Sequence, residues 1–280
     1  MKTIGEVLQL STQFLAERKI ERARRLAEEL LAATLQMKRM DLYLQFDRPV
    51  EETELVLLRE GLKRCGKGEP VEYVLGEVEF AGCQLAIDRS VLIPRPETEI
   101  LIDLIVKEIG PAQGKVLWDV CAGSGGLGLA LKKALPDLEV ILSDISPEAV
   151  AIGQKNSQKN GLEVEFRTGD LLAPFAGEQA DFVTCNPPYV TETEYLNLQP
   201  SVRDFEPRRA LVGGERGTEF YERLSCDLPL HLKPGGKVFL EIGATQGEAV
   251  KKIFAGGPWA RGELKKDWSG HDRFFFLEKQ

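Results

Sequence analysis

From residue 115 onward the chain alternates short apolar runs with amphipathic stretches, and this rhythm constrains the fold more than any other feature. Strand-like runs occupy residues 115–118, 139–143, 164–167, 181–185 and 237–242. Helix-like stretches lie between most of them, among them residues 126–135 and 147–160. Strands joined through helices at this spacing lie mostly parallel, and a parallel sheet needs cover on both faces. Residues 273–278, with three consecutive phenylalanines, read as a last buried strand. The fold class is therefore α/β. Sheets of this kind bind ligands at the carboxyl ends of their strands, so the strand ends carry the functional question.

Upstream the periodicity is helical. Thr3-Ile4-Gly5-Glu6 has the form of a capping box. One-sided apolar stripes follow at Ile4, Val7, Leu8, Phe14 and Leu15, and at Ala23, Leu26, Ala27, Leu30, Leu31 and Leu35. A third uses Leu55, Leu58, Leu62 and Cys65. Helices with a single apolar face pack on one another, which predicts a small bundle over residues 1–72. It serves either as a structural cap or as a partner-recognition module. Gly66-Lys67-Gly68-Glu69-Pro70 breaks the pattern, and alternation around Gly76 and Gly82 predicts a hairpin linker over residues 73–90. Residues 91–280 then form the α/β domain, with a helix opening after Pro94-Arg95-Pro96-Glu97.

Four successive strand ends carry glycine or polar groups. The first reads Asp119-Val120-Cys121-Ala122-Gly123-Ser124-Gly125-Gly126, a turn whose glycines let backbone approach a ligand closely. The second ends at Asp144, where a carboxylate can accept from a ribose diol. Asp144 could equally belong to the cap region of the helix near Pro147, although Ser146 is the better cap. The third ends at Asp170 and Leu171, suited to accept from an adenine amino group and to cover its ring. The fourth is followed by Asn186-Pro187-Pro188-Tyr189. A nicotinamide cofactor accounts for the glycine turn and the ribose acid but leaves Asp119 and the last tetrapeptide without a task. S-adenosylmethionine engages all four ends.

That tetrapeptide suits methylation of the nitrogen of a planar amide or amine. The nitrogen is a poor nucleophile because its lone pair is delocalised. Acceptors placed on its two N–H groups aim the lone pair at an electrophile. Asn186 offers a side-chain carbonyl and Pro187 a backbone carbonyl on a chain of fixed φ. The paired prolines stiffen the loop, and Tyr189 adds a flat wall and a hydroxyl. Such a site works by positioning, without a general base. An isolated Pro-Pro turn closing a strand would look the same.

Composition excludes several other classes. A net charge of −8 argues against broad binding to nucleic-acid phosphates, so no direct nucleic-acid contact is expected. The five cysteines are never in a CxxC spacing, and only His231 and His271 are present, so no metal site is expected. No apolar run is long enough to span a membrane, and Met1-Lys2-Thr3-Ile4-Gly5 opens no signal-peptide core, so a cytoplasmic location is expected.

Longer matches point to one family. They include Tyr73-Val74-Leu75-Gly76 with Phe80-Ala81-Gly82, and Leu92-Ile93-Pro94-Arg95-Pro96-Glu97-Thr98-Glu99. Val202-Arg203-Asp204-Phe205-Glu206-Pro207, Glu241-Ile242-Gly243 with Gln246-Gly247, and Gly270-His271-Asp272-Arg273 complete the set. Over nearly its whole length the chain resembles the HemK/PrmC family, the peptide chain release factor glutamine N5-methyltransferases. The resemblance implies a Rossmann-like, seven-stranded class I methyltransferase domain behind a helical domain and a hairpin. It also implies S-adenosylmethionine as cofactor, and as substrate the Gln of the Gly-Gly-Gln loop of class I release factors. By position, Asp119 and Cys121, Ala122, Gly123, Ser124 and Gly125 line the methionine part, Asp144 and Ile145 the ribose, and Asp170 and Leu171 the adenine. Asn186, Pro187, Pro188 and Tyr189 hold the substrate amide, Asn186 also facing the cofactor. Arg95, Glu97 and Glu99 either fix the linker and pocket or touch substrate. A ribosomal-protein glutamine, an adenine N6 atom, or a catalytically silent release-factor-binding role are the alternatives.

One position departs from the family pattern, which has Gly where this chain has Cys121. With Gly123 and Gly125 in place, Cys121 is expected at negative φ, as a small apolar residue beside the cofactor.

Overall fold

The computed structural model describes residues 1–280 and divides them into two compact units. The first comprises Met1–Glu77 and Gln199–Phe205, the second Val78–Leu198 and Glu206–Gln280.

The first unit is a bundle of α1 (Ile4–Glu17), α2 (Ala23–Thr34), α3 (Asp41–Leu44), α4 (Glu52–Cys65) and α5 (Val71–Leu75), and Gln199–Phe205 adds α10 (Pro200–Arg203). The capping box is formed. Glu6 N–H donates to Thr3 Oγ1 at 3.3 Å, and Thr3 N–H donates to the Glu6 carboxylate at 2.8 Å. Ile4, Leu8, Leu15, Ala27, Leu31 and Leu42 are fully buried in the resulting core. Tyr73, Val74 and Leu75, expected to open the hairpin, lie on α5 instead. Arg64 explains the difference. Its guanidinium is held by Glu69 at 2.8 and 2.9 Å and donates to the carbonyl of Tyr73 at 3.1 Å. A long-range donor thus serves a carbonyl of a short helix that local periodicity does not reveal.

The second unit starts from a hairpin, β1 (Glu77–Phe80) and β2 (Cys83–Ala86), then α6 (Pro96–Ile109). The sheet elements follow as β3 (Val116–Val120), α7 (Gly126–Ala134), β4 (Glu139–Asp144), α8 (Pro147–Asn160), β5 (Glu165–Thr168) and β6 (Ala180–Cys185). Two short strands, β7 (Val190–Thr191) and β8 (Val212–Gly214), flank α9 (Glu192–Leu196) in the chain. The unit ends with α11 (Glu219–His231), β9 (Leu232–Glu241), α12 (Gly247–Phe254), β10 (Trp259–Lys266) and β11 (Asp272–Lys279). No helix is long and apolar enough to cross a membrane.

Seven strands form one sheet in the order β10-β11-β9-β6-β3-β4-β5. β9, β6, β3, β4 and β5 are parallel, and β11 runs antiparallel between β9 and β10. The chain moves outward from β3 to β4 and β5, then returns to place β6 on the other side of β3. Loops leaving β3 and β6 diverge at that reversal, and a crevice opens above their carboxyl ends. β6 is buried along its whole length, and Trp118 of β3 stacks on Phe175 at 4.0 Å.

The hairpin is tied to this sheet by α8 rather than by another strand. Asn160 accepts from Gln84 N–H at 3.0 Å and donates to its carbonyl at 2.9 Å. Asn156 does the same for Ala86, accepting at 2.6 Å and donating at 3.0 Å. Residues two apart on a strand edge present N–H and C=O to the same side, and side chains four apart on a helix share a face. Two carboxamides therefore reproduce the ladder that a neighbouring strand would supply. Asn156, with no exposed surface, also donates to Ser124 C=O at 2.9 Å, so hairpin and glycine loop share one anchor.

Replacing Asn156 by Ala leaves two carbonyls and one N–H without their partner in a buried place. We expect a loss of about 2–4 kcal/mol in urea unfolding, with an unchanged dependence on denaturant. A loss near zero would show that the carboxamide is not the anchor.

Candidate active site

The turn after β3 is held by two carboxylates. Asp119, 1% exposed, accepts Gly128 N–H at 2.8 Å through Oδ2. Asp144 accepts Gly123 N–H at 2.8 Å on one oxygen and Ser146 N–H at 2.9 Å on the other. Ala122 N–H donates to Ser143 C=O at 3.0 Å, which carries the β3–β4 pairing one step past the strand. Ser146 caps α8 through Ala149 N–H, so the cap and Asp144 act together rather than in competition.

Cys121 lies at φ +61, against the expectation of negative φ. The reason is the path of the chain. Leaving β3 while presenting Ala122 and Gly123 N–H groups to β4 requires a left-handed residue at this point, followed by Gly123 at +55 and Gly125 at +80. For a residue with a Cβ this costs about 1–2 kcal/mol. The Cys121 side chain packs against the core cluster that contains Cys185, the residue before Asn186.

The carboxyl ends of β3, β4 and β6 open on a cavity of about 230 Å³. Asp119, Cys121, Ala122, Gly123 and Ser124 line it, as do Asp144, Ile145, Asp170, Asn186 and Pro188. A Cβ on Gly123 would meet nothing within 4 Å, so the loop backbone faces open space there. Gly125 does not line the cavity, and its role is the left-handed turn that starts α7.

Leu171, expected to cover an adenine ring, does not line the cavity. Its φ of +47 turns the side chain into the core with Leu172 and Phe175. Phe220 of α11 lines the cavity in its stead. Asp170 reaches the cavity rim with Oδ2 already accepting from Arg223 at 2.6 Å. Tyr189 is not among the residues that line this cavity; it packs against the sheet core, borders a separate depression with Gln246 and Arg273, and its carbonyl accepts from Gln246 Nε2 at 3.0 Å. Pro187 lines neither.

The tetrapeptide is clamped by absent side chains. A Cβ on Gly213 would stand 2.3 Å from Pro188 O, and one on Gly217 would stand 2.3 Å from Tyr189 O. Only glycine allows β8 and the turn before α11 to come so close.

The motif acids have structural tasks. Glu206, whose side chain is buried, accepts from Arg95 at 2.5 Å and from Ile93 N–H at 3.1 Å. Glu99 accepts from Ala81 N–H at 2.7 Å and so holds the hairpin turn on α6. Behind Asn186 stand two residues of the family-matching stretches to which the sequence assigns no role, Thr98 and Glu241. Glu241, 1% exposed at the end of β9, accepts from Thr98 Oγ1 at 2.7 Å, and Thr98 Oγ1 in turn accepts from Asn186 Nδ2 at 3.5 Å. The signal was a carboxylate closing the apolar run of β9. Burial pushes the Glu241 carboxyl up to about 7, against the pull of its bond to Thr98 and of Arg273. Burial likewise pushes Asp119 up to about 7, opposed by Gly128 N–H and reinforced by Asp144.

Known proteins resemble this chain over nearly its whole length. Residues 6–76 match the PrmC N-terminal domain family, and residues 96–199 match the methyltransferase small domain family. A release factor glutamine methyltransferase of Chlamydia trachomatis serovar L2 is 43% identical over 98% of this chain and 94% of its own length. The chain belongs to the release factor glutamine methyltransferase family. A Geobacter sulfurreducens member of that family is 37% identical over 97% of this chain and 95% of its own. The crystal structure of a methyltransferase from Pyrococcus furiosus shares the fold, with a TM-score of 0.54 at 17% identity over 71% of this chain and 89% of that one.

Gly128 is where the loop is tightest. A Cβ there would lie 2.7 Å from Leu142 Cδ2 and 2.9 Å from Asp119 Oδ2. Gly128→Ala is expected to cost about 1–3 kcal/mol in thermal or urea unfolding by overpacking. A neutral substitution would mean that the α7 start has slack the geometry does not show.

Proposed function

We propose that the protein transfers a methyl group from S-adenosylmethionine to the side-chain amide nitrogen of the Gln in the Gly-Gly-Gln loop of class I release factors. The observation that carries this reading is that Asn186 and Asp119 open on the same cavity. One is an amide-orienting group, and the other is a buried carboxyl with nothing cationic bonded to it.

The residues fit this cofactor. The cavity is lined on one wall by the glycine loop and on another by Phe220, an aromatic face for a base. Asp119 has one oxygen on Gly128 and a second to offer an ammonium group. Asp144 keeps lone pairs beyond its two backbone bonds for a pair of hydroxyls. When bound, the cofactor supplies an electrophilic methyl group on a sulfonium sulfur. The protein's own work is to orient and to exclude water. Asn186 Oδ1, on the cavity wall, accepts an N–H group of the substrate amide, which turns its lone pair toward the cavity. Positioning of this kind is worth several orders of magnitude in rate without any proton transfer by a side chain.

Two measurements test the reading. Mass spectrometry of the Gly-Gly-Gln peptide, after release factor is incubated with the protein and cofactor, is expected to show one added methyl group on that Gln. Asn186→Ala should lower turnover by roughly a hundredfold or more while cofactor affinity changes little. Methylation of a ribosomal protein or of nucleic acid in place of release factor would sink the substrate assignment, and full turnover in the variant would sink the mechanism.

Asp119 gives a pH prediction. Below its pKa of about 7 the carboxyl is neutral and must shed a proton to hold a cation, so affinity is reduced. Titration calorimetry should therefore show cofactor binding that tightens as pH rises through about 7 and then levels. Asp119→Asn should bind weakly with little slope over that range.

A further inference from the structure

We infer that Glu241, acting through Thr98, holds the Asn186 carboxamide in the one orientation that turns its oxygen toward the substrate. This rests on the amide-methylation reading above. The two ends of an Asn amide are nearly equal in size, so packing alone cannot choose between them. Donor and acceptor chemistry can. An ionised Glu241 only accepts, and it takes the single proton of the Thr98 hydroxyl at 2.7 Å. With that proton committed, Thr98 offers lone pairs alone, and Asn186 must meet it with Nδ2. A flipped amide would set its oxygen against the lone pairs of Thr98 Oγ1.

The support for this chain is rigid. Glu241 closes β9, and Tyr221 donates to its backbone carbonyl at 2.9 Å. Thr98, 5% exposed, sits in the first turn of α6 just past Pro96. Glu241, which does not line the cavity, is a positioning residue that acts through Thr98 and Asn186, and Thr98, at the cavity wall, positions Asn186.

The same arrangement makes the orientation pH-dependent. The groups facing Glu241 are Thr98 and Glu97 on α6, Asn186 and Tyr189 on the loop after β6, Tyr221 on α11 and Arg273 on β11. Burial opposes the carboxylate most and Glu97 adds to it, while the Thr98 bond and Arg273 favour it. A protonated Glu241 can donate, which frees the Thr98 hydroxyl to donate to Asn186 Oδ1 and admits the second orientation. The catalytically useful orientation is then lost as pH falls through about 7.

The test uses the full chain and two readouts. The first is the side-chain amide resonance of Asn186 in ¹H–¹⁵N spectra, identified by its loss in Asn186→Asp. It should titrate with pH in the wild type and cease to do so in Glu241→Gln and Thr98→Val, while Thr98→Ser restores it. The second is kcat at saturating cofactor and release factor. It should fall about ten- to a hundredfold in Glu241→Gln and Thr98→Val, recover in Thr98→Ser, and leave the cofactor Kd within about threefold. Asn186 resonances that are unchanged in both folded variants overturn the inference, as does a Glu241→Gln enzyme with wild-type kcat and pH profile. A wild-type protein that leaves release factor unmethylated while its Asn186 resonance titrates and loses that titration in the variants defeats the substrate reading and supports the orientation.

Discussion

Two carboxylates at neighbouring strand ends, Asp144 and Asp119, hold the loop after β3 and the first turn of α7 by backbone N–H groups, and the rest of the site follows from that grip. Because Gly123 is bonded to Asp144, the loop must leave β3 through a left-handed residue. Because Gly128 is bonded to Asp119, α7 must start within van der Waals contact of β4. What remains open above the loop is the cavity. Burying a carboxyl as deeply as Asp119 is costly unless a donor or a cation meets it. Gly128 meets one oxygen, and the other side of the group faces the cavity.

Around this centre, stiffness is supplied by unlike means that serve one end. Asn156 and Asn160 give the hairpin edge a substitute strand, and Asn156 extends the same bond network to Ser124. Glycines at 213 and 217 let backbone press on the carbonyls of Pro188 and Tyr189. Arg95 and Glu206, far apart in sequence, close the entry to α6. Each device removes a freedom from a segment whose groups line the cavity. A mechanism built on orientation needs such losses, since an amide acceptor displaced by even a fraction of an ångström no longer aims the lone pair.

Much of this was legible in the chain, for identifiable reasons. Strand and helix periods marked the sheet, because a parallel strand buried on both faces leaves an unbroken apolar run, as β6 does. The cap at Ser146 and the box at Thr3 were visible because their partners lie three residues away. Cys121 was misread, since its backbone angle is set by bonds to β4 rather than by its neighbours in sequence. The place of Leu171 is hidden for a related reason, because a left-handed residue after a strand end sends its side chain into the core. Tyr73 to Leu75 were assigned to the hairpin because the stabilising group, Arg64, lies on the preceding helix. Thr98 and Glu241 stand in the matching stretches, but their joint role is illegible in the sequence because it is an adjacency across a gap that no periodicity spans.

The helical unit is discontinuous, since Gln199–Phe205 joins it from beyond β6 and the clamped tetrapeptide. That arrangement bears on how the chain comes into being. A contiguous bundle of residues 1–77 could complete itself as soon as it left the ribosome. Here its last piece, α10, emerges only after β3, β4, β5 and β6 have been made. Contacts of such sequence separation form late and raise the entropy cost of closure. The order of synthesis therefore makes the finished bundle wait on a segment that lies, in sequence, within the unit that follows it, and neither unit is complete as a nascent chain before the tetrapeptide has emerged.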